Sequence, residues 1–150
     1  RRPEDEWLEL MCAASADLAA FHARGQWHGG AQIRNLTWDG QRFARLDFEE
    51  RLQPGMALGT VQVYDMLQLL LSLARYLQPL GPSAVQAVLQ AYADAGTGGA
   101  ALRDFIVHLL PRLQRVSRLA AWSKRLDTSR ELVRLRTVLD GMAAFVRQRP

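Results

Sequence analysis

The residues best equipped for chemistry fall in one short stretch. His28-Gly29-Gly30-Ala31-Gln32-Ile33-Arg34-Asn35 is followed, twelve positions after its asparagine, by Asp47-Phe48-Glu49. Between them, Asn35-Leu36-Thr37-Trp38 and Gln41-Arg42-Phe43-Ala44-Arg45-Leu46-Asp47-Phe48 read as short strands, and Asp39-Gly40 suits a two-residue type I′ turn. Such a hairpin returns the chain to the edge it left, so the Asn35 amide and the Asp47 carboxylate are expected to face one cleft. Carboxylate and amide oxygens are what a hard divalent cation accepts as ligands, and such a cation neutralises the crowded charge of a nucleotide's phosphates.

This constellation resembles the active-site floor of ATP-dependent phosphotransferases of the protein-kinase-like superfamily, in which a His-x-Asp-x-x-x-x-Asn loop is followed by a β-hairpin ending in Asp-Phe-Gly or Asp-Phe-Glu. The resemblance runs from about Leu18 to Leu73. Its parts are a Leu-Ala-x-x-His helix end (Leu18, Ala19, His22), the His28 to Asn35 loop, Asp47-Phe48-Glu49, and Asp65 within Val61-Gln62-Val63-Tyr64-Asp65-Met66-Leu67. The Asp-Phe-Glu form is closer to the branch of bacterial lipopolysaccharide-core sugar kinases, Rio-type and small-molecule phosphotransferases than to eukaryotic-type protein kinases.

The resemblance implies ATP and Mg²⁺ as cofactors, Asp47 as the main metal ligand and Asn35 as a second. It implies a hydroxyl-bearing acceptor, whether a sugar, a lipid-linked molecule or a protein. His28 is a candidate catalytic group by residue type, but the resemblance implies a structural place for it beneath the metal aspartate. Asp65 would accept hydrogen bonds from the loop backbone and lock it, which meets the need of a lone carboxylate in so apolar a helix for partners.

Two departures limit that reading. Gly30 stands where the family has its proton-accepting aspartate, and glycine has no side chain with which to orient a hydroxyl; Gln32 and Glu49 are the residues left to substitute. Phosphoryl transfer relies mainly on positioning and charge stabilisation, so loss of the base should slow it greatly without necessarily abolishing it. The family also grips its nucleotide with a mostly β N-terminal lobe and a lysine. Here one helix precedes the loop, and Lys124 is too far downstream to be that lysine. The resemblance therefore implies a further lobe of roughly 80 to 100 residues outside these 150, on which ATP and Mg²⁺ binding depend. Two other readings follow from the same departures: a catalytically inactive pseudokinase whose cleft binds nucleotide or a partner, and a helical adaptor that uses a basic surface.

The elements that must position these residues are mostly helical. Glu4 to Ala23 repeats Trp7, Leu8, Met11, Ala14, Leu18 and Phe21 at helical spacing, with Pro3 and an acidic first turn before it and Gly25 after it. Leu52 to Gly59 reads as a loop, and Thr60 to Gln78 as a helix apolar on so many sides that it should be central. Pro79, Gly81 and Pro82 interrupt the chain. Ser83 is expected to cap a third helix to about Ala95, and Ala100 to Leu110 starts a fourth, with Pro111 either kinking it or opening the next. Thr128 or Ser129 caps a last helix from about Arg130 to Arg147. The expected fold class is mainly α, a kinase-like C-terminal lobe in which a helical bundle carries one small β-hairpin, with all 150 residues in one domain.

Charge is uneven. Basic residues number 6 against 9 acidic in residues 1–50, 2 against 2 in 51–100 and 11 against 4 in 101–150. Arg112, Arg115 and Arg118 recur every three positions and form a candidate anion-binding stripe for lipid headgroups, lipopolysaccharide or an anionic membrane surface; a solvated face beside a core of Leu113, Val116, Leu119 and Trp122 explains the same spacing. Aromatic residues are too sparse there for stacking on single-stranded nucleic acid. His22 and His28 lack metal-ligand spacing, His108 lies among apolar neighbours as a buried-face histidine would, and Trp27 reads as packing. The single cysteine, Cys12, allows no internal disulfide, and no stretch approaches the roughly 20 apolar residues of a membrane span. A cytoplasmic protein, free or peripheral to the inner membrane, is the expectation.

Overall fold

The computed structural model describes residues 4–48, 55–122 and 129–148. Pro3, Glu49, the start of the 52–59 loop, Lys124, Arg125 and Thr128 lie outside the described residues. The fold is mainly α, with five α-helices and one two-stranded hairpin among the described residues: α1 (Glu4–Ala23), β1 (Leu36–Trp38), β2 (Phe43–Arg45), α2 (Leu58–Leu77), α3 (Pro82–Ala95), α4 (Gly99–Ala120) and α5 (Arg130–Arg147).

α1 ends because Gly25 takes φ 75, a conformation glycine adopts without Cβ strain, and its amide donates to the His22 carbonyl at 2.9 Å. Met11, Ala14, Leu18 and Phe21 are buried as their spacing predicts, whereas Trp7 is half exposed. α2 packs on all four other helices and buries ten residues, including Met66, Leu70, Leu73 and Leu77. It opens at Leu58, two residues before the expected Thr60, with Ala57 as a cap that offers no side-chain acceptor.

α3 starts at Pro82, not behind a Ser83 cap: proline supplies the helical φ at a position whose N–H has no helical partner. α1, α3 and α5 meet around Val85, Val88, Leu89, Tyr92 and Phe145, all fully buried. α5 approaches α3 so closely that a Cβ at Gly141 would lie 2.4 Å from the Val85 Cβ, which is why the smallest residue stands there. The Ser129 hydroxyl caps α5 by accepting from the Leu132 amide at 3.2 Å.

α4 runs unbroken through Pro111, on its solvent face; the carbonyl one turn back, freed by the missing N–H, belongs to half-exposed Val107. Two sequence expectations fail on this helix. His108 is exposed, its Nδ1 2.8 Å from the Asp104 carbonyl oxygen, and Val116, Leu119 and Trp122 are also exposed, leaving only Leu113 of the expected four packed against the core. In this half of α4 it is Ser117 that is buried, on the face toward Leu139 of α5, so periodicity alone misjudges which face is covered.

The hairpin is antiparallel with Leu36 opposite Arg45, Thr37 opposite Ala44 and Trp38 opposite Phe43. Its turn is not the two-residue type I′ expected. That turn needs positive φ at both central residues, and here Gly40 has it but Asp39 does not. A four-residue loop closes instead, with Asp39 Oδ1 accepting from the Gln41 and Arg42 amides at 2.7 Å each. Those amide donors, Arg42 first, hold the Asp39 carboxyl below its usual range. With only two strands the apolar residues are incompletely covered, so Leu46 and Phe48 remain about half exposed.

Candidate functional site

α2 holds the His28–Asn35 loop by the side chains of one polar stripe. Gln62, Asp65, Gln68 and Ser72 recur at intervals of three or four along an otherwise apolar helix and share one face. Gln62 Nε2 donates to the His22 and Gln26 carbonyls at 2.9 Å each. Asp65 accepts from the amides of His28 at 2.6 Å and Gly29 at 2.8 Å. Gln68 lies at the limit of bonding to the Gly29 carbonyl, at 3.5 Å, and the Ile33 amide donates to the Ser72 hydroxyl at 2.9 Å. Sequence reading singled out Asp65 and missed the rest; the signal was four polar residues at helical spacing among leucines.

Asp65 is almost fully buried and takes a third contact from His22 Nε2 at 3.2 Å, while His22 Nδ1 lies 2.6 Å from the Tyr92 hydroxyl on α3. A carboxylate only accepts, so Nε2 carries the proton, and in the neutral ring Nδ1 accepts from Tyr92. Burial, with the Asp65 charge adding to it, raises the Tyr92 phenol to about 12 and keeps it a donor. The network ties α3 to α1, α2 and the loop. Nothing in the sequence marks Tyr92 for this role.

Gly29 takes φ 81 and turns the chain after His28. The amide of Gly30 then donates to His28 Nδ1 at 3.2 Å, and its carbonyl accepts both the Gln32 amide at 2.7 Å and Asn35 Nδ2 at 2.9 Å. With its amino group committed, the Asn35 side chain has its oxygen left for another partner. The ladder continues past β1, since the Leu46 amide donates to the Asn35 carbonyl at 2.9 Å, so Asp47 follows directly on the residue opposite Asn35. A Cβ built on Gly30 would lie 3.6 Å from Asn35 Nδ2, 3.9 Å from His28 Nδ1 and 4.0 Å from the Asp47 carbonyl oxygen, so all three residues surround one point.

Asp47 is exposed and is the one non-glycine residue with positive φ, at 60, among the described residues. That conformation is uncommon outside glycine, is best tolerated by Asp and Asn, and concentrates at functional sites. Its carboxylate has no protein partner among the described residues. Gln32 is partly buried and lines a small gap with Asn35, His28 and Arg45; Glu49, the other expected substitute for the base, lies outside the described residues.

His28 sits beneath Phe48, the rings stacked at 4.6 Å and 22°. Arg45 pairs with Asp17 of α1 and lies over the Phe21 ring at 4.9 Å, which fastens β2 to α1. Burial holds the His28 imidazole below its ordinary 6.5, against the opposite pull of Asp65, and Arg45 lowers it further. Because the folded value lies below the unfolded one, protonation favours the unfolded chain. Stability is full above about pH 6.5 and falls as pH drops through that value toward the folded one, by at most about 1.4 kcal/mol per pH unit. Chemical denaturation of the protein and of His28→Phe, which keeps the stack, should show a shallower decline between pH 7 and 5 in the variant; equal declines would assign the dependence to other groups.

Burial also raises the Cys12 thiol, which makes it a poor nucleophile. An apolar hollow of about 400 Å³ lies on the other side of the hairpin, between Trp7, Trp38, Tyr76 and Leu80, and has neither Asn35 nor Asp47 in its walls. Arg112, Arg115 and Arg118 are exposed on α4 and contribute nothing to the loop site. No cluster of three or more His, Cys, Asp or Glu side chains that could hold a metal occurs among the described residues, and no helix among them is long and apolar enough to cross a membrane. No family model, curated protein or solved structure matches the chain.

Proposed function

We propose that this chain is the C-terminal, metal-side lobe of a kinase-like phosphotransferase, which works with a nucleotide-gripping lobe to pass a phosphoryl group from ATP to a hydroxyl. The observation that carries this reading is the Asp65 carboxylate accepting two successive loop amides, at 2.6 and 2.8 Å, from within an apolar helix. Burying a charge costs stability, and here the hydrogen bonds that offset the cost are those that hold the loop in one conformation. The loop so held brings Asn35 near the Asp47 backbone, and the donor types suit a magnesium site: the Asn35 amino group is already committed, and the Asp47 carboxylate has no partner among the described residues and stands in a conformation rare for non-glycine residues.

Asp47 and Asn35 would hold Mg²⁺, which supplies neutralisation of phosphate charge. Asp65, Gln62 and Ser72 keep the loop backbone from relaxing, and His28 supports Phe48 and with it the Asp47 turn. The site is open, which agrees with the need for a second lobe to exclude water. Gly30 favours a second reading, in which the same floor binds nucleotide without turnover, because no side chain stands within reach of the acceptor hydroxyl at that position.

In the full-length protein, Mg-ATP at about a hundred times its Kd should stabilise the fold by about 2.7 kcal/mol, a rise of roughly 5 to 10 °C for a domain of this size. Asp47→Asn, which tolerates the same backbone conformation but lacks the charge, should abolish the rise. No stabilisation of the unaltered protein, or full stabilisation of the variant, refutes the proposal. Turnover, or none, then separates the enzyme from the inactive binder.

A further inference from the structure

We propose that the C-terminal half of α4 is a docking face for an anionic phospholipid bilayer. The core uses Leu102, Ile106 and Leu110 of this helix, but beyond Pro111 the only fully buried residue is Ser117. Three large apolar side chains, in the last turns and in the turn that follows them, are left in solvent: Val116 at 59% exposure, Leu119 at 66% and Trp122 at 89%. Arg112, Arg115 and Arg118 are exposed too, and they stand four residues before Val116, Leu119 and Trp122 respectively. Residues four apart are neighbours on a helix surface, so two parallel stripes, one basic and one apolar, run side by side along the solvent face.

The charge of that face is unopposed along the helix, since no acidic residue occurs between Asp104 and Trp122. Among the described residues Arg112 and Arg115 have no ion pair, and Arg118 donates to the Gln114 carbonyl at 3.4 Å. On α5, one acidic and one basic residue, Asp140 and Arg136, line a shallow depression with Arg118. A protein partner suits this face less well, because protein interfaces are depleted of charge at their centre and Arg115 lies in the middle of the patch. A nucleic-acid backbone would meet the arginines but leave Val116 and Leu119 against phosphate. The bilayer interface satisfies both stripes at once: guanidinium groups meet lipid phosphates, and valine, leucine and tryptophan enter the boundary between headgroups and acyl chains.

The inference is independent of phosphoryl transfer and is tested without nucleotide, so either can fail alone. The intact protein is sedimented with vesicles of phosphatidylcholine alone or with phosphatidylglycerol added, and tryptophan quenching by bromine-labelled acyl chains is read in parallel. Binding should require the anionic lipid, weaken with salt, and fall about fivefold for each arginine replaced by glutamine, on the order of a hundredfold for R112Q/R115Q/R118Q. Trp122→Phe should remove the quenched emission. These side chains are exposed, so circular dichroism of the variants should match that of the unaltered protein. Equal binding to both vesicles, no binding at physiological salt, unchanged binding of the triple variant, quenching that survives Trp122→Phe, or preference for a nucleic-acid duplex over anionic vesicles would each overturn the proposal.

Discussion

Replacing Asp65 with alanine is expected to lower folding stability by about 3 to 5 kcal/mol, as for breaking one side of a buried polar network. The carboxylate serves two backbone amides and His22, all at a site almost without solvent, so the truncation leaves several donors with nothing to replace it. In a domain of this size that is a melting temperature lower by roughly 10 to 15 °C. Asp65→Asn should cost less, since its one remaining oxygen can still accept while its amino group confronts a donor. Hydrogen exchange separates the causes: if Asp65 acts by holding the loop, the amides of His28 and Gly29 lose protection before those of α3 and α5 do. A loss under about 1 kcal/mol for the alanine variant would show that the loop keeps its shape by other means.

Gly30→Asp is expected to leave stability within about 1 kcal/mol and, if the phosphotransfer reading holds, to raise turnover of the full-length protein by 10²- to 10⁴-fold, the usual contribution of a positioned general base. The backbone permits it. Gly30 does not occupy the left-handed region, and an added Cβ meets its nearest neighbours at ordinary contact distances of 3.6 to 4.0 Å. The adjacent substitution is the control: Gly29 sits at φ 81, where any side chain is strained, so Gly29→Asp should cost about 1 to 3 kcal/mol and add no activity. Stable folding of Gly30→Asp with turnover no higher than before, in a protein that binds Mg-ATP, would mean that more than the base is missing and would favour the non-catalytic reading.

The two substitutions probe opposite sides of one loop. Asp65 fixes it from below, and Gly30 is where it faces the cleft. On the phosphotransfer reading, the loop conformation is kept where the family's base is replaced by glycine.

Much of this arrangement is determined by the sequence alone, because its causes are local. The bounds of α1 follow from spacing, an acidic first turn and a following glycine, and the Ser129 cap from the hydroxyl needed at a helix start. The hairpin follows from alternating residues on either side of Asp39-Gly40. That Asp65 needed partners was also legible, since a lone carboxylate among leucines is costly anywhere. What only the tertiary structure decided are pairings across long separations: His22 with Tyr92, 70 residues on, and Gln62 and Ser72 with backbone groups 36 to 40 residues away. A sequence shows which residues share a helix face, but not what lies opposite that face. For the same reason Val116, Leu119 and Trp122 read as core and stand in solvent, because burial depends on which face of the helix its neighbours meet.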